Sequence, residues 1–244
     1  MRILVVNPNT TRSMTEKAVM AARAVAAAGT EIIAATSRMG PVSIEGHYDG
    51  ALALPGLMAE ISKAELAGVQ AAIIACFDDT GLDAARSLAS FPVLGICESG
   101  LVTAGFLAQR FTVVTTLERS RVLLENLSRH YGFGGRAKIR AADIPVLELE
   151  DPASGAIAKL RRQIELALTD DGAEAIVLGC AGMADLAFAL QEEYGVPVVD
   201  GVSAAIKQAE ALIAQRLTTG KRGSYATPRA KTYIGAMAEF APKA

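Results

Sequence analysis

Two stretches decide the fold: Gln70-Ala-Ala-Ile-Ile-Ala-Cys76 and Glu174-Ala-Ile-Val-Leu-Gly-Cys180. Each is a short, continuously apolar run, the pattern of a strand buried on both faces of a parallel sheet. Each ends in a cysteine, passes through a short small-residue turn (78–81 or 181–182) and enters a helical stretch. Each also has a Pro-Val strand downstream, Phe91-Pro-Val-Leu-Gly95 and Gly195-Val-Pro-Val-Val-Asp200. The two cysteines stand close to half the chain apart. Such an echo predicts two similar halves related by a pseudo-twofold axis, each presenting one cysteine at the carboxyl end of a strand.

The rest of the chain fits this frame. Further β-branched runs at 2–6, 31–35, 93–96, 111–115, 138–141 and 196–199 read as strands. Ala-rich segments at 13–28, 50–67, 82–89, 101–109, 119–131, 156–169, 184–194 and 203–216 read as helices, with Ser203 as the N-cap of the last. Regular alternation of this kind specifies an α/β fold. Eight strands would permit a barrel, but 244 residues is tight for one once loops are counted. We therefore expect two pseudo-symmetric lobes, each a mainly parallel sheet flanked by helices, with the active site in the cleft between them. Residues 1–97 plus 217–244 are assigned to the first lobe and 98–216 to the second.

Composition excludes several classes. With 51% hydrophobic and 20% charged residues the chain is globular rather than disordered. Its 24 basic and 26 acidic residues leave a net charge of −2, the wrong balance for binding nucleic acid or an anionic membrane. The first apolar run is too short for a signal peptide, and no stretch is long enough to span a bilayer, so a cytoplasmic protein is expected. Three cysteines without C-x-x-C spacing and two isolated histidines give no metal site. His47 and His130 read as surface or interface groups. The C-terminal segment carries Lys221, Arg222, Arg229, Lys231 and Lys243 against Glu239 alone, a solvated arm packing back on the first lobe or an anion contact.

In open α/β sheets, ligands bind beyond the carboxyl ends of the strands, where helix N-termini point their free N–H groups. A thiol there is expected to have its thiolate stabilised, bringing its pKa down from about 8.5 toward neutrality. Cys76 and Cys180, one from each half, would face each other across the cleft. A carbon acid between them could lose a proton to one thiolate and gain one from the opposite thiol, without cofactor or metal. Cys97 has no counterpart, and Ser99 breaks the match of its surroundings to a nucleophile elbow, so it reads as structural. Phosphate-loop readings fail too: residues 132–135 follow no strand, and around 219–221 the flanking Gly and Ser/Thr are missing.

Asn7-Pro-Asn9-Thr10, Pro41-Val-Ser-Ile-Glu-Gly46, Cys76-Phe-Asp-Asp-Thr-Gly81, Val113-Val-Thr-Thr116 and Leu178-Gly-Cys-Ala-Gly-Met183 occur in order over essentially the full length. Together they resemble the aspartate/glutamate racemase superfamily and, within it, the hydantoin and allantoin racemase branch. The resemblance implies cofactor-independent proton transfer at one carbon, with Cys76 and Cys180 as the opposed bases, in a homo-oligomer. Glutamate racemases have Cys-Asn-Thr and Cys-Thr-His at these two places. Here Cys76-Phe77-Asp78 and Cys180-Ala181-Gly182 lack the groups that would hold an α-carboxylate, and Asp78 and Asp79 would repel one. A neutral cyclic ureide fits better, its carbonyls accepting N–H bonds from the turns at 78–81 and 181–182. An amino-acid racemase, a related decarboxylase needing one cysteine, and a non-catalytic two-lobed ligand-binding module are the competing readings.

The remaining site residues follow from these motifs. Asn9 either bonds substrate or caps the next helix, and Thr80 has the same two options. Thr115 and Thr116 close a strand at the cleft, Phe77 and Gly179 flank the cysteines, and Ala181 and Gly182 supply backbone. Ser43 lies in a loop that either covers the site or is plain surface. Asp78 and Asp79 are expected to contribute backbone rather than side chains.

Overall fold

The computed structural model describes residues 1–151 and 153–242; Lys243, counted above in the basic segment, lies outside them. The first half of the chain runs β1 (Arg2–Asn7), α1 (Arg12–Val25), β2 (Glu31–Thr36), α2 (His47–Leu66), β3 (Ala71–Ile74), α3 (Leu82–Leu88), β4 (Val93–Gly95) and α4 (Ile96–Leu107). The second runs β5 (Phe111–Thr115), α5 (Glu118–His130), β6 (Ala137–Ala141), α6 (Ala156–Thr169), β7 (Ala175–Gly179), α7 (Ala187–Tyr194), β8 (Val198–Asp200) and α8 (Gly201–Ala214). They form two four-stranded sheets, ordered β2-β1-β3-β4 and β6-β5-β7-β8, with every pairing parallel. The second order repeats the first with four added to each strand number. The duplication read from the two cysteine strands is therefore a property of the whole topology.

Alternating side chains on the inner strands serve different cores. Ile3 and Val5 of β1, Ala71 and Ile73 of β3, Phe111 and Val113 of β5, and Ala175 and Val177 of β7 all point into one central core. Their neighbours point outward, Leu4, Val6, Ala72 and Ile74 under α2 and α3, and Val114, Ile176 and Leu178 under α6 and α7. Burial on both faces is why these strands lack a polar alternation, whereas the edge strands β2 and β6 are partly exposed. Filling the central core between the sheets are α1, α4 and α8.

Small residues let α4 and α8 approach closely. A Cβ at Gly201 would fall 2.1 Å from the Ile96 carbonyl oxygen, and one at Gly100 would meet the Gly201 backbone at 3.5 Å. The N-terminal ends of the two helices thus lie against each other beside the pseudo-axis.

Helix starts differ from the sequence expectation where tertiary contacts decide them. Ser203 is not the N-cap of α8: the helix begins at Gly201, and the Asp200 carboxylate accepts the Ser203 amide at 2.8 Å. Similarly α4 begins at Ile96, so Cys97 sits in its first turn, and α2 begins at His47. The C-terminal segment lies on α3, with Lys221 donating to the Arg86 and Ser87 carbonyls and Tyr225 to Asp83. No helix among the described residues is long and apolar enough to cross a membrane.

A methyl group at Gly201 meets backbone rather than a movable side chain. Gly201→Ala should therefore destabilise the protein by about 1–3 kcal/mol, read as a fall of several degrees in thermal unfolding.

Candidate active site

Four strand ends converge at the cleft: β1 brings Asn9, β3 brings Cys76, β5 brings Thr115 and Thr116, and β7 brings Cys180. All five residues line one narrow cleft of about 60 Å³, with Phe77, Asp78, Gly179 and Ala181 beside them. Both cysteines are half-buried, in contrast to Cys97, which is fully enclosed in the central core. A larger hollow of about 480 Å³ lies on β6, lined by Arg121, Arg129 and Arg140 with Glu118, Glu125 and Asp171. Those charges pair with one another and contain no reactive group.

Asn9 is oriented before any ligand arrives. Its Oδ1 accepts from the Asn7 side chain at 2.8 Å and the Thr11 amide at 2.9 Å, which fixes the amide so that Nδ2 points away from them. Nδ2 meets only the Met14 sulfur, at 3.6 Å among the described residues, and so retains donor capacity toward the cleft. The Asn9 oxygen closes a turn onto Thr11 and does not cap α1, whose N-cap, Thr11, makes no side-chain capping bond. Thr115 donates to the Gly179 carbonyl at 3.2 Å, while its strands approach so closely that a Cβ at Gly179 would lie 2.9 Å from the Thr115 backbone.

The turn after β3 corrects several expectations. Three of its amides are already engaged: that of Asp78 faces the Cys76 sulfur, that of Asp79 bonds the Cys76 carbonyl, and that of Thr80 bonds Asp78 Oδ1. Asp79 does not line the cleft. It adopts a positive φ of 49° and turns its buried carboxylate onto the N-terminus of α4, accepting the Cys97 and Glu98 amides at 2.9 Å and the Tyr131 hydroxyl at 2.8 Å. Thr80 is likewise buried outside the lining, its hydroxyl shared between Asp78 and the Cys76 sulfur. Phe77 reaches the cleft but packs mainly in the central core, against α4.

Nor is the Cys76 thiolate favoured as expected. Burial pushes the thiol up, and the Asp78 carboxylate adds to it; the Asp78 amide and Thr80 hydroxyl pull the other way. The supposed helix N-terminus is absent, because α3 begins only at Leu82, beyond the turn. Cys180 occupies a different setting: it caps a 3₁₀ turn, Ala181–Leu186, its carbonyl accepting the Met183 amide. The first amides of such a turn have no acceptor within it. A Cβ at Gly182 would lie 3.2 Å from Leu149 and 3.7 Å from the Cys180 sulfur, so this glycine stands beside the sulfur although it does not line the cleft.

Over the cleft folds the segment before α2. The Thr10 amide and Thr11 hydroxyl hold it at Pro41 and Val42, and Ile44, Gly46 and His47 form the wall. Ser43 bonds Glu45 instead of facing inward. His47, read from sequence as a surface or interface group, lines the cleft while remaining exposed. Arg119, Leu123 and Leu124 of α5 and Val146 complete the wall, none marked by a motif. The Val146 amide donates to Glu45 and Lys17 to the Leu149 carbonyl at 2.9 Å, tying the two halves together beside this opening.

The family model described as Asp/Glu/Hydantoin racemase matches residues 3–209. The chain is 48% identical to a hydantoin racemase of Rhizobium meliloti, over 96% of this chain and 98% of that one. It superimposes on an allantoin racemase from Klebsiella pneumoniae with a TM-score of 0.96, at 48% identity and complete coverage of both chains. An allantoin racemase from Pseudomonas fluorescens gives 0.92 at 43% identity, covering 96% of this chain and all of that one.

Asp79 generates a test independent of any reaction. Burial pushes its carboxyl up to about 7 in the folded protein, against the amides and phenol that favour its charge. The folded state then binds a proton that an unfolded aspartate, with a pKa of about 3.9, releases. Its stabilising share is complete below about pH 4 and is lost as pH rises toward 7, by at most about 1.4 kcal/mol per pH unit. Urea unfolding of wild type and Asp79→Asn across this range should show the difference in slope.

Proposed function

The chain belongs to the Asp/Glu/hydantoin racemase family, and on that footing we propose that it racemises 5-substituted hydantoins or allantoin through Cys76 and Cys180. What supports this most is that the two cysteines come from equivalent strand ends of the repeated sheets and line one cleft.

The substrate ring lies between the two sulfurs. One thiolate removes the hydrogen of the ring stereocentre, and charge moves onto the adjacent carbonyl oxygen. The opposite thiol delivers a proton to the other face, and the charge returns. In this reading Asn9 Nδ2 and the Ala181 amide bind that oxygen, since a donor already aimed at developing charge needs no reorganisation. The walls of Ile44, Leu123, Leu124 and Val146 exclude water and accept the 5-substituent. A free carboxylate on the substrate would meet Asp78, which disfavours an amino acid.

We further infer the two lobes to be 1–97 with 217–244 and 98–216, supported by the seating of the C-terminal segment on α3. A homo-oligomer is inherited from the family resemblance, and a cytoplasmic location agrees with three cysteines that stand outside any disulfide.

Cys76→Ser and Cys180→Ser should each lower inversion of an enantiopure hydantoin or allantoin by at least about a hundredfold, followed by loss of optical rotation. Each single variant should still exchange solvent deuterium into one antipode, because its remaining thiol reaches one face. Full-rate inversion by either variant would remove the two-base mechanism.

A further inference from the structure

Asp78, Thr80 and Cys76 share one hydrogen. Asp78 lines the cleft, and its Oδ1 accepts both the Thr80 amide at 3.1 Å and the Thr80 hydroxyl. The same hydroxyl stands 3.7 Å from the Cys76 sulfur. A threonine hydroxyl has a single proton to donate, so it cannot serve a carboxylate and a thiolate together. While Cys76 is a thiol, the hydroxyl bonds Asp78. Once Cys76 ionises, the hydroxyl can join the Asp78 amide at the sulfur only by leaving the carboxylate, and two negative groups then stand in one half-buried turn. Thr80 itself is buried, which limits how far water could replace the bond it withdraws from Asp78.

We propose that Asp78, acting through the Thr80 hydroxyl, keeps the proton on Cys76, so that the resting enzyme carries a thiol there and withdraws its first proton with Cys180. This assignment rests on the two-base reading above and makes Asp78 a positioning residue rather than a substrate ligand. The enantiomer whose stereocentre hydrogen faces Cys180 is then the one that resting enzyme converts directly. Its mirror image requires the proton to leave Cys76 beforehand.

Other charged and titratable groups face the same space. His47 at the start of α2, Arg119 at the start of α5 and Cys180 after β7 line the cleft with Cys76. Behind the turn lie Asp79, Cys97 and Glu98 at the start of α4, with the Asp79 carboxylate bonded to the α4 amides and Tyr131. Asp78 differs from these in sharing a hydrogen-bonding hydroxyl with Cys76. The direction of its influence agrees with the raised Cys76 thiol, to which Asp78 contributes after burial.

The test is the pH dependence of Cys76 alkylation by iodoacetamide in the full-length protein, resolved by peptide mass so that Cys97 and Cys180 are counted separately. Asp78→Asn keeps size and hydrogen bonding but removes the charge. It should move the Cys76 midpoint down by about one pH unit and raise its rate at neutral pH about tenfold. Thr80→Val removes the donor to the thiolate and should move the midpoint up, with Thr80→Ser restoring it. An unmoved or raised midpoint in Asp78→Asn, or an unmoved or lowered one in Thr80→Val, overturns the proposal. Either variant suffices if the other does not fold.

Racemisation by the same wild-type preparation separates the two readings. Inversion of a cyclic ureide together with an unmoved midpoint in Asp78→Asn would sink the role of Asp78 alone. A moved midpoint with no ureide inverted would sink the racemase reading alone.

Discussion

The close contact of α4 with α8 is the constraint from which the rest of the architecture follows. Gly201 leaves no room for a side chain beside the Ile96 carbonyl, and Gly100 lies against the same helix end. Backbones this close bring the two sheets together with the carboxyl ends of their strands opening on one gap. The central core then forms from one face of each sheet, and its apolar side chains hold the arrangement from both sides. A cleft is the inevitable remainder. Its position at strand ends follows from the parallel connection, which sends every loop of one kind to the same edge.

Within that cleft the two halves have diverged most where they carry their cysteines. After β3 the chain makes a tight acidic turn in which the Asp79 and Thr80 amides are engaged internally, and Asp79 directs its carboxylate onto the start of α4. After β7 it enters a 3₁₀ turn directly. One scaffold thus surrounds equivalent sulfurs with unlike turns. Helix placement, which sequence reasoning invoked to lower both thiols, matters less at Cys76 than its burial and the carboxylate two residues on.

How far the sequence could be read depended on how local the cause was. The strands were visible because burial on both faces leaves unbroken apolar runs, and the pairing of Cys76 with Cys180 was visible because duplication repeats a pattern at a distance. Asp79 was misplaced because its partners, the Cys97 and Glu98 amides and Tyr131, come from elements separated in the chain. His47 was read only as a surface or interface group and Arg119 was not singled out for a related reason: only the folding of the 37–46 segment toward α5 makes them neighbours. Ser203 looked like a cap because serine favours that position, yet Asp200 stands at the end of β8 with a stronger acceptor.

The inequality of the two turns has a thermodynamic boundary. Mirror-image molecules have equal free energies in water, so a racemase cannot shift their final proportion, whatever surrounds its bases. The ratio kcat/KM must come out the same in both directions. The different turns around the two sulfurs can show themselves only in how each direction divides that ratio between saturation and turnover. Handedness in this fold is thus written in kinetics, and the product mixture keeps no record of it.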